Sequence, residues 1–301
     1  MWGRGASTFR TQEVSLPVRL PKELAAGRRE RARTIVACPI TFRVRLAAGV
    51  DRVEFHTEVD NRARDHRLRV LFASPDSPQK VRAEGHFALL RRPAQPVWNG
   101  RWREPPARTH HTLGLVAAGD LAVVSRGLPE YEAVPKVGGG VDVALTLLRC
   151  VGWLSWPDLS TRPGAEEPHV PTPDAQCLGT HSFQYALTLR GDDDAATLLR
   201  ASQDYRVELV RGPEGIDLER TLAVEGSSFA FSALKGAEDG DGVVVRLFNP
   251  GDGPAIAQVT GAEVAVHRCR LDEEETQTQQ VRAIAMKAGE IATARIIPGG
   301  D

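Results

Sequence analysis

Apolar and polar residues alternate with a period of two along much of this chain. In Thr41-Phe42-Arg43-Val44-Arg45-Leu46 every second position is apolar. Val53-Glu54-Phe55-His56-Thr57-Glu58-Val59-Asp60 likewise puts Val53, Phe55 and Val59 on one side. Successive strand side chains point to opposite faces, so this pattern predicts sheets packed on one face and wet on the other. It recurs over 141–147, 183–189, 205–209 and 262–266, and turn-forming clusters separate the runs. Examples are Ala73-Ser74-Pro75-Asp76-Ser77-Pro78, Val137-Gly138-Gly139-Gly140 and Glu238-Asp239-Gly240-Asp241-Gly242. The expected class is all-β, with antiparallel sheets stacked as sandwiches.

Two stretches break the pattern. Asp192-Asp193-Asp194 leads into Ala195-Ala196-Thr197-Leu198-Leu199-Arg200-Ala201, where acidic groups ahead of good helix formers predict a short helix. It lies where the composition turns acidic, so a domain boundary is placed near residue 200. That gives a lead-in segment and first strand over 1–34, a large β-sandwich over 35–200 and a smaller terminal β-sandwich over 201–301. The second stretch, Trp153 to Gly179, is rich in proline and has no periodicity. It reads as a long connection held by its own packing, a kind of loop that often carries function.

At 301 residues, with 42% hydrophobic and 26% charged, the chain can bury a real core and is not broadly disordered. It has no apolar run of the ~18 to 20 residues a membrane helix needs. Met1-Trp2-Gly3-Arg4-Gly5 lacks an apolar signal core. Cys38, Cys150, Cys177 and Cys269 are too widely spaced for a zinc cluster or a disulfide framework. Reduced thiols partly buried in strands, and a cytoplasmic protein, are expected.

The net charge of -1 conceals a gradient. Residues 1–100 carry 19 Lys and Arg against 10 Asp and Glu, and residues 201–301 carry 10 against 17. Arg alternating with apolar residues is the wet face of a sheet, so neither nucleic acid nor membrane is an expected partner. A charged protein partner remains open.

The search for chemistry finds little. None of the eight His residues is followed two positions later by Asp, and no H-E-x-x-H helix occurs. His110 and His111 point to opposite faces of a strand and do not share an ion. No nucleophile elbow, P-loop or dinucleotide fingerprint is present. Asp239-Gly240-Asp241-Gly242 is a hairpin turn, since Pro250 stands where a calcium loop needs a bidentate Glu. Asp65 and Arg67 are expected to share a face and pair. No self-contained catalytic constellation emerges.

Several segments, in order, resemble the bacterial-type α-mannosidases of glycoside hydrolase family 38. They are Asn61-Arg62-Ala63-Arg64-Asp65-His66-Arg67-Leu68-Arg69, Gly127-Leu128-Pro129-Glu130-Tyr131-Glu132, Thr146-Leu147-Leu148-Arg149-Cys150-Val151-Gly152-Trp153 and Thr172-Pro173-Asp174-Ala175-Gln176-Cys177. Phe231-Ser232-Ala233-Leu234-Lys235 and Val245-Arg246-Leu247-Phe248-Asn249 resemble the family's terminal sandwich. The resemblance covers only the family's C-terminal β region. It implies a galactose-mutarotase-like super-sandwich followed by the smaller sandwich, within a retaining exo-α-mannosidase acting on terminal α-mannosides.

The family's zinc and carboxylate nucleophile belong to an N-terminal α/β domain, so this chain is expected to hold no cofactor and not to hydrolyse mannosides alone. The expected partners are that catalytic domain, in cis or as a split product, and the mannoside. The resemblance also implies that an Arg from a loop here approaches the sugar site. Arg162 is the local candidate, with Asp158 and Trp156 beside it; Trp153 and Trp156 are anchors of the loop or stacking platforms. The alternative reading is a freestanding carbohydrate-binding β-sandwich.

Overall fold

The computed structural model describes residues 9–74, 78, 80–101, 104–137, 139–154, 158–159, 162–163, 170–191, 193–207, 223–260, 264–274 and 281–298. Two compact units emerge, Met1–Ala83 with Arg91–Asp192, and Glu84–Leu90 with Asp193–Asp301. Both are built from antiparallel sheet.

The strands up to residue 188 are β1 (Phe9–Leu16), β2 (Arg19–Pro21), β3 (Ile35–Ala37), β4 (Ile40–Ala47), β5 (Val53–Asn61), β6 (Arg67–Ala73), β7 (Lys80–Gly85) and β8 (Ala88–Pro93). There follow β9 (Thr109–His111), β10 (Leu115–Ala118), β11 (Leu121–Arg126), β12 (Glu130–Pro135), β13 (Val141–Arg149), the two-residue β14 (Asp158–Leu159) and β15 (Arg162–Pro163), and β16 (Gly179–Thr188). One sheet has eight strands in the order β1-β4-β5-β16-β11-β10-β7-β8, and another has four in the order β6-β13-β12-β9.

Alternation works here as the pattern requires. Phe55 and Tyr185, paired across β5 and β16, stack at 5.4 Å, and Phe72 of β6 meets both rings edge-on at 5.8 Å. Val116, Val123, Tyr131 and Leu145 complete this core. Burying such rings and branched chains is the main stabilising term, at roughly 25 cal/mol per Å² of apolar surface. The Tyr185 hydroxyl finds its partner inside the core, 2.7 Å from the hydroxyl of the buried Thr57.

The second unit holds α1 (Ala195–Arg206), β17 (Ala223–Glu225), β18 (Ala230–Gly236), β19 (Val243–Phe248), β20 (Ala255–Thr260), β21 (Val264–Cys269), β22 (Ala283–Met286) and β23 (Ile291–Pro298). Its sheets run β17-β20-β22 and β18-β19-β23-β21. Phe229, Val245, Leu247, Ala257, Ile284 and Ile296 lie in the core.

The helix differs from expectation. It runs five residues beyond 201, and Tyr205 and Arg206, which alternation assigned to a strand, form its last turn. Leu198, Ser202 and Tyr205 are buried at helical spacing, and that burial decides against the weak alternation. Glu84 fixes the helix from the side, accepting from the Ser202 hydroxyl at 2.7 Å and from the Arg206 guanidinium.

The thiols are free, with Cys38, Cys150 and Cys269 buried and Cys177 half-buried. Among the described residues no helix is long and apolar enough to cross a membrane.

Candidate functional site

A cavity of about 330 Å³ opens in the first unit where β6 begins and β13 ends. Arg67 opens one strand with His66 just ahead of it, Arg149 closes the other with Cys150 just beyond it, and Trp153 and Leu154 come from the segment that follows. The two strands run side by side, with Arg67 opposite Arg149. The Cys150 N–H continues the ladder by donating to the His66 carbonyl at 2.8 Å.

Asp65 shapes the floor. Its φ of 53° is left-handed, a conformation most non-glycine residues avoid but Asp tolerates. That turn swings Asp65 away from Arg67, so the expected Asp65–Arg67 pair does not form. The Asp65 carboxylate instead accepts from Gln176 Nε2 at 2.8 Å and from the Leu24 N–H at 3.2 Å. The Asp65 N–H donates back to Gln176 Oε1 at 2.8 Å. The Arg31 guanidinium holds the same turn from below through the carbonyls of Pro21, Arg64 and Asp65.

Arg67 finds its anions across the sheet. It reaches Glu130 at 2.9 Å, Glu132 at 3.1 Å and the Thr146 hydroxyl at 2.9 Å, while Arg149 also pairs with Glu130. Burial alone would raise the Glu130 carboxyl, but the Thr146 hydroxyl and the guanidinium groups of Arg149 and Arg67 outweigh it and hold Glu130 low. The rim is therefore ionised and internally paired.

The groups that could react are quiet. Burial, aided by the charge of Arg31, pushes His66 below the usual imidazole range, so it is neutral near pH 7. Its Nε2 lies 3.9 Å from Cys150 Sγ. Burial and the neighbouring Cys177 push the Cys150 thiol up to about 11, which leaves it protonated and poorly nucleophilic. A neutral imidazole, a protonated thiol and paired charges suit recognition of a polar ligand against an apolar wall. They do not suit covalent chemistry.

The chain leaves the cavity at Leu154 and returns at Val170, whose carbonyl accepts from the Leu154 N–H at 3.0 Å. Trp153 bridges Pro171, and a 3-10 turn over Pro173–Gln176 delivers Gln176 to Asp65. The long connection after Trp153 thus starts and ends on the cavity rim. Asp158 and Arg162 lie on the backbone of the β14–β15 pair, where Leu159 opposes Arg162; their side chains, and all of Trp156, fall outside the described residues. Sequence reasoning passed over the Asp65–Gln176–Arg31 hub. Its one trace was the pair of motif segments around Asp65 and Gln176, 111 residues apart.

No three His, Cys, Asp or Glu side chains among the described residues converge as metal ligands. The described residues do not fit a zinc centre.

Comparison with known proteins places part of the chain in a family. Residues 228–294 match the glycosyl hydrolases family 38 C-terminal beta sandwich domain. Over 289 residues, 89% of this chain, it is 29% identical to a protein of Halalkalibacterium halodurans named "Putative mannosylglycerate hydrolase". Residues 228–294 thus carry a family 38 C-terminal beta sandwich domain.

Solved structures agree with the family 38 fold. An alpha-mannosidase from Enterococcus faecalis V583 superimposes with a TM-score of 0.75 at 23% identity, covering 96% of this chain and 35% of that one. A second Enterococcus faecalis protein of the family gives 0.73 at 22% identity, covering 96% and 36%. The chain spans about 30% of the length of the Halalkalibacterium relative.

Proposed function

We propose that this β region completes the substrate site of a retaining exo-α-mannosidase and is not catalytic by itself. The cavity at the start of β6 and the end of β13 carries the reading, because it offers recognition chemistry with neither an activated nucleophile nor a metal-ligand set. The relatives' names point to mannosides as the substrate class. In this reading the catalytic α/β domain supplies the zinc and the nucleophilic carboxylate, and the enzyme works in the cytoplasm. Arg162 reaches the sugar from the connection, with Asp158 and Trp156 beside it. A planar guanidinium fork suits neighbouring sugar hydroxyls.

The test is a chimera in which this chain replaces the matching region of the Halalkalibacterium relative, assayed on an aryl α-mannoside. Arg162→Ala is expected to lower kcat/KM by at least about tenfold, equivalent to about 1.4 kcal/mol of transition-state binding. An unchanged kcat/KM removes Arg162 from the site. Mannoside hydrolysis by the isolated chain would overturn the accessory role.

A further inference from the structure

The eight-stranded sheet is wider than the sheet that faces it. The four-stranded sheet ends at β6, and Phe72 of β6 lies over Phe55 of β5. Past β5 the large sheet continues through β4 and β1, where among the described residues the facing sheet has no further strand.

Register determines which side chains point that way. Phe55 opposes Val44, Val53 opposes Leu46, and Thr57 opposes Phe42, which opposes Val14; Ile40 links Val59 to Leu16. Opposed residues share a face, so Val14, Leu16, Val44 and Leu46 extend the core face of the sheet outward, with Gln12 (opposite Val44) and Arg10 (opposite Leu46) at the polar end of β1. Ile40 and Val59 are covered by Leu148 and Cys150. Further out, Val14 is 39% exposed, Leu16 42% and Leu46 50%. The opposite face has an ordinary solvated pattern, with Arg43 paired to Glu13 and Glu58. A mainly apolar inner face left in water and bordered by Arg10 and Gln12, backed by a charged outer face, marks a surface built to be covered.

We infer that this shelf seats an apolar surface of the catalytic part of the enzyme. The choice of partner rests on the function proposed above. In the relatives, about two-thirds of the polypeptide lies outside the region matched, and the matched domain is a C-terminal one. A second copy pairing edge to edge with β1 would satisfy its free backbone but leave the apolar face as wet as before. Only a surface laid over the face buries it.

The experiment introduces Val14→Cys and Leu46→Cys, singly, into the isolated chain and the chimera, and follows maleimide labelling by site-resolved mass spectrometry. Both positions are expected to react as exposed thiols in the isolated chain and at least tenfold more slowly in the chimera. Equal rates overturn the inference. So does labelling in the isolated chain that slows as protein concentration rises, which would identify a second copy as the occupant. A further arm needs no chimera: Val14→Asp and Leu46→Asp should leave Tm of the isolated chain unchanged, and a fall of several degrees would show that the chain covers the shelf itself. Labelling rates do not depend on hydrolysis. Loss of the Arg162 effect with protection intact would therefore sink only the sugar-site reading.

Discussion

Tyr185 shows how a single polar atom constrains the core. Its ring is stacked on Phe55, and its hydroxyl has one buried partner, Thr57. Tyr185→Phe leaves the Thr57 hydroxyl without a partner and is expected to cost about 1–3 kcal/mol; Thr57→Val strands the tyrosine hydroxyl at a similar cost. The double variant should lose less than the sum, because no orphaned polar group remains. Urea midpoints of the four proteins test this, and strict additivity would refute it. The alternation of Val53-Glu54-Phe55-His56-Thr57 placed Thr57 on the core face, but nothing in it named Tyr185 as partner. Asp65 was harder to read, because its left-handed turn is set by Gln176, Leu24 and Arg31 from distant parts of the chain.

At the scale of elements, α1 was legible at its start and not at its end. Asp194 caps the helix as the acidic run suggested, accepting from the N–H groups of Ala196 at 3.0 Å and Thr197 at 3.1 Å. Partial burial opposes ionisation, but the Thr197 hydroxyl and these N–H groups prevail and hold Asp194 below the usual range. A depressed carboxyl stabilises the fold above its unfolded pKa of about 3.9 and loses that contribution as pH falls through the folded value. Asp194→Ala is expected to cost about 1 kcal/mol at neutral pH, or roughly fivefold faster hydrogen exchange of the α1 amides. The difference between variant and parent should shrink on acidification; one that holds constant to pH well below 3.9 would exclude the carboxylate as its source. The C-terminal end was misread because alternation over 205–209 is short, whereas the burial of Tyr205 depends on packing that no local window contains.

At the scale of the molecule, the antiparallel sheets and the terminal family 38 sandwich domain were readable from short segments in order. Among the described residues no metal cluster forms, so chelation by EDTA should leave Tm of the isolated chain unchanged; a clear fall would reveal a structural ion. The sequence by itself determined the strand periodicity, the turns and the segments shared with family 38, because these depend on neighbours within a few residues. Only the tertiary structure decided the Asp65–Gln176 hub, the extent of α1 and the uncovered shelf on β1 and β4. Each depends on which strand lies opposite which, and that pairing is chosen by contacts between residues far apart in the chain.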